Sequence, residues 1–470
     1  MFGFGSVVKI AFGTDGWRAD TRKEFTDKNV ARAVEGIAQY LKSTNQHGKV
    51  LVGYDKRPNS DKFAETASVI LQNHGFDVYV ADDAVPTPVL SFSVAKQGAV
   101  CGVEITASHN PLNYNGIKFQ PGNGAPAAKE VTSAIEAKIP EKPPKPHAFP
   151  KRPVNLKEDY LKALDDKVDL SRAVGMHIII DTMYGTSTGY LTQLLTTHGG
   201  NVEELHNVRD SNAEKLQPNP TVDNLSELIN AVVEKKADLG IANDGDADRI
   251  AAVDSAGKYY PANLLSLIIT EYLFKFKGVH GPIARTVSTT SALDRLAASY
   301  NVPVVETPVG FKHLANEMDK GAVIGVEQSG GIGYDWWIPN KDGIASAAIL
   351  CEAVANQGKP LSQLAQEAAQ AYGYHEYIEY SIPKEQKARE SLEFLQKDIA
   401  REMFGGRKIT ERNDLDGIKL YLEGGSWVLI RESHTEPLIR IYVESQTKRE
   451  QEELIGATNR FFGEQLGYKP

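Results

Sequence analysis

The chain has 470 residues, of which 41% are hydrophobic and 24% are charged, with a formal net charge of −9 at pH 7. This length predicts roughly three or four domains of ordinary soluble protein, and the acidic balance argues against a general binder of nucleic acid or anionic membranes. The two cysteines, Cys101 and Cys351, are too few for a disulfide framework and are expected to be small core residues.

Along the first 150 residues, buried-strand runs alternate with helical stretches, which is the pattern of a mostly parallel α/β sheet. These runs lie at 31–41, 49–53, 77–80 and 99–105. A proline-dense segment at 139–153 then predicts an extended linker, because such density disfavours helix and strand alike. We therefore expect a first α/β domain over residues 1–150.

The alternating pattern restarts twice after the linker and changes near the end. The restarting strand and helix runs lie at 176–181, 190–197, 281–284, 292–300 and 302–305. From about residue 374, strand runs precede a final helix near 450–462, which is an α+β pattern. The predicted fold is α/β, with domains at 151–256 and 257–372 followed by an α+β domain at 373–470. No apolar run reaches membrane-spanning length, since Glu271 interrupts the longest, and no secretory leader is recognised, so a cytoplasmic protein is expected.

A short polar loop lies between the strand-like runs at 99–105 and 117–119. Residues 106–111 read TASHNP, which places the hydroxyl of Ser108 on a tight loop where it can be exposed and held still. A serine followed by histidine and asparagine suits a phosphoryl or acyl carrier. Taken alone, an ordinary turn is the better interpretation, because these residues are also good turn formers.

A second polar loop carries three aspartates at alternate positions. Residues 243–249 read NDGDADR, and Asp244, Asp246 and Asp248 would repel one another unless a cation lay among them. Carboxylate oxygens suit Mg²⁺. An EF-hand is not indicated, because no glutamate stands at the twelfth position and strands flank the loop. The alternative is a solvated, aspartate-rich turn.

A third loop, GVEQSGG at 325–331, combines a carboxylate and a hydroxyl on a glycine-rich segment. Glu327 and Ser329 could bind two adjacent sugar hydroxyls, although in isolation a plain turn is the favoured interpretation. Upstream, Lys312 in the stretch TPVGFK could meet a phosphate or simply be solvated.

A fourth loop, RESHTEP at 431–437, brings an arginine, two hydroxyls and turn amides within a few residues. That combination suits a phosphate, and the alternative is a charged hairpin loop. Near the N-terminus, FGTDGWR at 12–18 adds a glycine-rich loop with Arg18, which is a weak signal by itself.

Together and in this order, these loops resemble those of the α-D-phosphohexomutase family. The segments similar to its first segment, phosphoserine loop, magnesium loop, sugar-recognition loop and phosphate-binding loop are 12–18, 106–111, 244–249, 327–331 and 431–437. The resemblance spans almost the whole chain. It implies three similar mixed-sheet α/β domains plus a C-terminal α+β domain around a central cleft.

The resemblance also implies a role for each matching residue. Ser108 would be the phosphoserine, and its phosphate oxygen would share Mg²⁺ with Asp244, Asp246 and Asp248. Glu327 and Ser329 would bind the sugar 3- and 4-hydroxyls. The residues that would hold the phosphate not being transferred are Arg431, Ser433, His434, Thr435 and Arg440. The residues that would line the reacting centre are Arg18, His109, Lys118 and Arg249.

Phosphoryl transfer requires charge neutralisation and in-line positioning, which a metal ion and clustered cations supply. A proton must also leave the attacking sugar hydroxyl, and Lys118 and Lys341 are the two candidate bases. Gly331 stands where many phosphomannomutases and phosphoglucosamine mutases have histidine, so a histidine base is not available there. Glycine at this position, together with the segments 307–312 and 341–343, resembles the phosphoglucomutase branch of the family more closely. His434 replaces a more usual glycine or asparagine.

The resemblance implies a Mg²⁺-dependent phosphoglucomutase, an isomerase acting on glucose 1-phosphate and glucose 6-phosphate through bound glucose 1,6-bisphosphate. Mannose and glucosamine phosphates, or a mixture, are the alternatives, because no motif reads the sugar 2-position. A non-catalytic sugar-phosphate binder would be expected to lack Ser108, the aspartates or the basic residues, and all are present. The expected partners are small hexose phosphates, without nucleic acid or membrane, in a monomer or small homo-oligomer.

Overall fold

The computed structural model describes residues 8–13, 16–145, 147, 149–211, 213–374, 376–398, 400–433 and 437–463. These described residues form four sheets, each built from one continuous part of the chain. The α/β fold expected from the sequence is confirmed.

The first sheet carries the serine loop. Its strands are β1 (Trp17–Asp20), β2 (Lys49–Tyr54), β3 (Asp77–Ala81), β4 (Cys101–Ile105), β5 (Tyr114–Pro121) and β6 (Pro153–Val154). Its helices are α1 (Asp27–Ser43), α2 (Ser60–Asn73), α3 (Thr87–Lys96) and α4 (Lys129–Glu136). The strand order is β1-β5-β4-β2-β3-β6, in which β2 is parallel to β3 and β4, and β5 is antiparallel to β4.

The second and third sheets follow along the chain. The next strands are β7 (His177–Asp181), β8 (Asn201–Leu205), β9 (Leu239–Asn243), β10 (Ile250–Asp254) and β11 (Tyr259–Tyr260), then β12 (Ile283–Thr286), β13 (Val304–Thr307), β14 (Ile324–Val326) and β15 (Ile332–Tyr334). Their helices are α5 (Lys157–Asp165), α6 (Tyr190–Thr197), α7 (Ser226–Glu234), α8 (Ala262–Phe276), α9 (Ala292–Ser299), α10 (Phe311–Met318), α11 (Gly343–Gln357) and α12 (Leu361–Tyr372). The orders are β11-β10-β9-β7-β8 and β13-β12-β14-β15.

One strand arrangement recurs in these three sheets. A central strand is parallel to the next two strands of the chain, and a fourth strand returns antiparallel beside the third, in the orders β5-β4-β2-β3, β10-β9-β7-β8 and β15-β14-β12-β13. The hairpin between the third and fourth strands holds, in turn, residues 106–111 (the serine loop), 243–249 (the aspartate loop) and 325–331 (the sugar loop). Each of these three sheets with its helices is called a unit below. These three loops are therefore equivalent positions of one repeated fold.

The fourth sheet is antiparallel throughout its described pairs. Its strands are β16 (Glu376–Pro383), β17 (Met403–Phe404), β18 (Arg407–Asn413), β19 (Ile418–Leu422), β20 (Trp427–Glu432) and β21 (Leu438–Ser445), in the order β16-β21-β20-β19-β18-β17. The accompanying helices are α13 (Gln386–Lys397) and α14 (Lys448–Phe462). The predicted phosphate loop lies between β20 and β21.

The linker differs from expectation at its end. Its described residues before Pro153 form neither helix nor strand, as predicted, but Pro153–Val154 adds β6 to the edge of the first sheet, parallel to β3. An edge position tolerates proline because the missing N–H is not needed by a further strand. The boundaries expected at residues 150, 256 and 372 stay predictions.

The apolar core explains how the units are held together. One continuous cluster of buried side chains includes α3 of the first unit together with helices and strands of the second and third. Cys101 and Cys351 are fully buried, which confirms their expected place in the core. Among the described helices, none combines the length and apolar character that a membrane crossing requires.

Candidate active site

Ser108 lies at the tip of the hairpin between β4 and β5, and only 1% of its surface is exposed. Its φ of 51° is in the left-handed region, which is costly for a non-glycine residue and must be held by the surrounding contacts. Its backbone N–H donates to Thr106 Oγ1 at 2.9 Å, and Thr106 Oγ1 donates to Asp55 Oδ2 at 2.7 Å. The loop is thus held from the end of β2, the neighbouring strand.

The guanidinium of Arg57 is the main support of this loop, and sequence analysis missed it. It donates to the carbonyl oxygens of Ser108 at 2.6 Å, Asn110 at 2.5 Å, Pro111 at 2.6 Å and Tyr114 at 3.0 Å. Arg57 is 6% exposed and is paired with Asp55 at 3.1 Å. A planar cation with several donors can satisfy converging carbonyls that a single ammonium cannot.

Ser108 meets the aspartate loop of the second unit. Its Oγ donates to Asp244 Oδ2 at 2.9 Å, and the imidazole Nδ1 of His109 lies 3.3 Å from the same Oγ. The backbones also approach closely, because a Cβ at Gly245 would lie 2.5 Å from the Ser108 carbonyl oxygen. A glycine in the sequence Asp-Gly-Asp is therefore required for the two hairpins to meet.

Asp244, Asp246 and Asp248 are fully buried, and one oxygen from each lies within 4.8 Å of the others. Lys118 Nζ donates to Asp246 Oδ2 at 2.7 Å and to Asp248 Oδ2 at 3.0 Å. The other oxygens, Oδ1 of Asp246 and of Asp248, are buried and accept no hydrogen bond from the described residues. Buried oxygens without donors, in a cluster of carboxylates, fit a hard cation such as Mg²⁺.

The pKa values of two buried carboxylates in this cluster are shifted in opposite directions. Burial and the neighbouring carboxylates of Asp248 and Asp246 raise the pKa of Asp244 to about 8. Burial acts to raise the pKa of Asp246 too, but the Lys118 ammonium outweighs it and holds that pKa well below its usual range. Lys118, Lys341 and Arg249 all lie against this cluster, and a bound divalent cation would add further positive charge among the carboxylates.

The sugar loop reaches this cluster through Lys341. Lys341 Nζ lies 3.4 Å from Glu327 Oε2 and 3.5 Å from Asp248 Oδ2, so it bridges the loops of the second and third units. Arg249 Nε lies 3.8 Å from Asp244 Oδ2. A Cβ at Gly331 would lie 2.5 Å from Lys341 Cδ, which means that the lysine occupies the space a larger residue would need.

Arg18 and His109 flank the serine. Arg18 Nη1 donates to Asn110 Oδ1 at 2.8 Å. Burial, followed by the cations of Arg249, Arg18 and Lys341, lowers the pKa of His109 well below its usual value. His109 is therefore a neutral hydrogen-bonding group beside Ser108 at neutral pH.

Two arginines predicted to bind phosphate, Arg440 and Arg431, are paired with carboxylates of the fourth domain, and one of these carboxylates also contacts the sugar loop. Arg440 Nη1 donates to Glu379 Oε1 at 2.9 Å, and Gln328 Nε2 donates to Glu379 Oε2 at 2.8 Å. Arg431 Nε donates to Asp416 Oδ2 at 3.1 Å. These arginines lie against carboxylates here, and an incoming phosphate would compete for them.

The remaining predicted residues are located as follows. Lys312 is in the first turn of α10, Ser329 is at the tip of the sugar loop, and Ser433 follows β20, where its N–H donates to the Leu438 carbonyl. All three are half-buried, and their roles stay predictions. His434 and Thr435 lie outside the described residues.

Thr87 is a second residue that sequence analysis missed. Its Oγ1 donates to Asp246 Oδ2 at 2.7 Å, and its N–H donates to the Asp246 carbonyl at 3.1 Å. Thr87 begins α3 in the first unit, 159 residues before its partner. A threonine at the start of a helix is common, and only the docking of two units reveals this contact.

Four sequence profiles of one family match the chain in order. They are described as the alpha/beta/alpha domains I, II and III and the C-terminal domain of "Phosphoglucomutase/phosphomannomutase", and they match residues 9–145, 158–257, 261–372 and 383–459. Each matched stretch contains one of the four loops and most or all of one of the four sheets.

Curated relatives and a solved structure match nearly the whole chain. A "Probable phosphoglucosamine mutase" of Methanothermobacter thermautotrophicus is 32% identical over 93% of this chain and 94% of its own. A "Phosphoglucosamine mutase" of Carboxydothermus hydrogenoformans is 30% identical over 94% of this chain and 97% of its own. The crystal structure of a candidate phosphomannomutase from Thermus thermophilus is 31% identical, with a TM-score of 0.86 over 97% of this chain and 99% of that chain.

Proposed function

We propose that this chain, which belongs to the α-D-phosphohexomutase family of intramolecular phosphotransferases, interconverts the 1- and 6-phosphates of glucosamine through a phosphorylated Ser108. One observation carries the proposal. The Ser108 hydroxyl is buried on a strained backbone, and it lies 2.9 Å from the first of three buried aspartates. An ordinary turn would need none of these features.

The reaction has two matched transfers. Phosphorylated Ser108 gives its phosphoryl group to the free hydroxyl of the bound sugar phosphate, so the bond from phosphorus to Ser108 Oγ breaks as the bond to the sugar oxygen forms. The proton of that hydroxyl passes to a base. The product, a hexose 1,6-bisphosphate, then turns end over end and returns its other phosphoryl group to Ser108 by the reverse sequence.

Asp244, Asp246 and Asp248 would hold Mg²⁺ together with an oxygen of the Ser108 phosphate, and the bound ion would neutralise charge on the transferring group. Lys118 holds Oδ2 of two of these carboxylates and so leaves their Oδ1 atoms available to the cation. Arg249 and Arg18 add positive charge beside the transferring phosphoryl group.

Lys341 is the proposed proton carrier. Its Nζ lies between Glu327, which would hold a sugar hydroxyl, and Asp248 of the aspartate loop. A sugar hydroxyl that attacks the phosphoryl group would lie between these two residues, within reach of the lysine. Lys118 remains the alternative, but its contacts with Asp246 and Asp248 are shorter, and it serves there as their counter-charge. Arg431, Ser433, His434, Thr435 and Arg440 would hold the other phosphate, and Lys312 would assist them.

The relatives support glucosamine rather than the glucose that the sequence motifs favoured, because curated proteins matching nearly the full length are named phosphoglucosamine mutases. Glucose phosphates are the second candidate. Gly331 favours them, because many phosphoglucosamine mutases have histidine at this position. Here a larger residue would collide with Lys341, whose Cδ lies 2.5 Å from where a Cβ would stand. The two sugars differ at the 2-position alone.

The test compares turnover of glucosamine, glucose and mannose 1-phosphates, each with a trace of its 1,6-bisphosphate. We expect kcat/KM to be highest for glucosamine 1-phosphate, and a higher value for glucose 1-phosphate would assign the second candidate. Ser108→Ala should abolish turnover of all three. Ser93→Ala, a buried serine on α3 that bonds only locally, is the control that should keep it. Undiminished turnover by Ser108→Ala would refute the covalent carrier.

A further inference from the structure

Three consecutive residues, Asn340, Lys341 and Asp342, connect the three α/β units at the site. Asn340 Nδ2 donates to Ser91 Oγ of α3 in the first unit at 2.8 Å. Lys341 reaches Asp248 in the second unit. Asp342 begins the third unit's helix α11 by accepting hydrogen bonds from two backbone N–H groups of its first turn, at 3.0 and 2.8 Å.

The carboxylate of Asp342 has two further donors, and one of them comes from another unit. Tyr160 OH lies 3.0 and 2.8 Å from the two carboxylate oxygens, and Trp337 Nε1 donates to Oδ2 at 2.8 Å. Tyr160 belongs to α5, which is 182 residues earlier in the chain. Both Tyr160 and Asp342 are completely buried, so water cannot replace a lost donor.

Aromatic packing fixes the direction of the Tyr160 hydroxyl. The Tyr160 ring lies 5.6 Å from Phe92 and 5.4 Å from Trp337, both in edge contact, and Phe92 stacks on Trp337 at 4.9 Å. These rings come from the three different units. A ring held on two sides cannot turn its hydroxyl away from Asp342, which makes the hydrogen bond a fixed point of the site.

We propose that Tyr160 is a positioning residue for Lys341. Its hydroxyl fixes the carboxylate of Asp342, and Asp342 fixes the backbone from which the lysine extends toward Glu327 and Asp248. Phosphoryl transfer depends on such placement, since a displacement of about 1 Å can cost roughly 100-fold in rate. The catalytic part of this inference rests on the proposed function, whereas the part that concerns the placement of Lys341 does not.

The variant that tests this is Tyr160→Phe, and the chain contains a matched control. Tyr260 OH donates to the buried carboxylate of Asp254 at 2.9 Å, and Asp254 likewise accepts two backbone N–H groups. Tyr260→Phe therefore removes the same kind of bond at a similar burial, in a hairpin of the second sheet away from the three loops. Both variants should lose similar stability.

The first measurement is the rate at which acetic anhydride modifies Lys341, followed by mass spectrometry of its peptide. Lys341 is only 6% exposed, so slow modification is expected in the unaltered protein. We expect several-fold faster modification in Tyr160→Phe and an unchanged rate in Tyr260→Phe. An unchanged rate in Tyr160→Phe would overturn the inference, whether or not the protein is a mutase.

The second measurement is kcat and KM on the preferred sugar phosphate. Tyr160→Phe should lower kcat by about tenfold with little change in KM, and it should cause no further loss in a Lys341→Ala background. An equal loss in both backgrounds would overturn the inference. If Tyr160→Phe does not fold, Trp337→Phe removes the other side-chain donor to Asp342 and must give the same pattern. Absence of turnover in the unaltered protein would instead refute the proposed function.

Discussion

Ser108 Oγ donates a 2.9 Å hydrogen bond to Asp244 Oδ2 across 136 residues of sequence. Both residues lie in the hairpin between the third and fourth strands of a repeated unit. Each of the two loops also contains a non-glycine residue with left-handed backbone, Ser108 at a φ of 51° and Ala247 at 60°. The sugar loop occupies the equivalent place in the third unit. The repeated fold thus brings the serine hydroxyl, the three aspartates and the sugar loop to one centre.

Replacing Asp246 by asparagine should weaken Mg²⁺ binding at least about tenfold, because it removes one of three clustered charges. Isothermal titration of the protein with Mg²⁺ measures this without any assay of turnover. Asp254→Asn is the control, since Asp254 is also buried but binds a tyrosine and two backbone N–H groups. Equal Mg²⁺ affinity in the two variants would contradict a metal site at the aspartate loop.

Arg57→Lys should lower kcat by about 100-fold, because one ammonium cannot hold the four carbonyls that place Ser108. The unsatisfied buried carbonyls should also cost about 1–3 kcal/mol of stability. Steady-state kinetics measures kcat, and denaturant unfolding measures the stability.

The control for Arg57 is Arg32→Lys. Arg32 is also 6% exposed and donates to the carbonyls of Val8 and Pro140, on the same unit but away from the serine loop. It should lose comparable stability and keep its turnover. If both variants lose kcat in proportion to stability, Arg57 has no special role in the loop.

Gly331→Ala should lower kcat by about tenfold while substrate binding changes little. The added methyl group would lie 2.5 Å from Lys341 Cδ and must displace that side chain, whereas the arginines of the phosphate loop are on another domain. In a Lys341→Ala background the 2.5 Å contact with Cδ is removed, and only the longer contacts with Cβ of residue 341 at 3.1 Å and Glu327 Oε2 at 3.2 Å remain, so the same substitution should then cost much less. A loss of kcat that persists there would place the effect of Gly331 elsewhere.

Lys419 predicts a pH dependence of stability. Burial and the nearby Arg285 cation lower the pKa of Lys419 to about 8 from an unfolded value of 10.5, although Glu306 at 2.7 Å opposes this. Below pH 8 both states bind the proton, and the folded state bears the cost of a buried charge. Between pH 8 and 10.5 only the unfolded state binds it, so stability should rise with pH, by on the order of 3 kcal/mol.

The comparison for Lys419 is Lys419→Met, which has no proton to lose. The unfolding free energies of the two proteins are measured in denaturant at about pH 7, 8.5 and 10. The protein with Lys419 should gain stability relative to Lys419→Met as pH rises. A constant difference across this range would show that Lys419 titrates normally.

Much of the fold and the site was predictable from local pattern. The helices expected at 190–197 and near 450–462 are α6 and α14 within two residues, because their apolar residues recur with a helical period. The loops around Ser108, Asp244 and Glu327 were recognised because unusual polar residues interrupt buried strands. The edge strand at Pro153–Val154 was missed, because pairing at a sheet edge depends on where β3 lies and leaves no periodic signal.

The sequence by itself determined which segments form strands and helices, where the four polar loops lie, and which residues could bind phosphate, metal and sugar. Each of these is a property of neighbouring residues. Only the tertiary structure decided that Arg57 holds the serine loop, that Lys341 bridges the metal and sugar loops, and that Tyr160 anchors Asp342. These contacts join residues from 14 to 182 positions apart. They form when the units pack against one another and buried charges and hydroxyls gain hydrogen-bond partners. The local sequence around each residue does not contain that information.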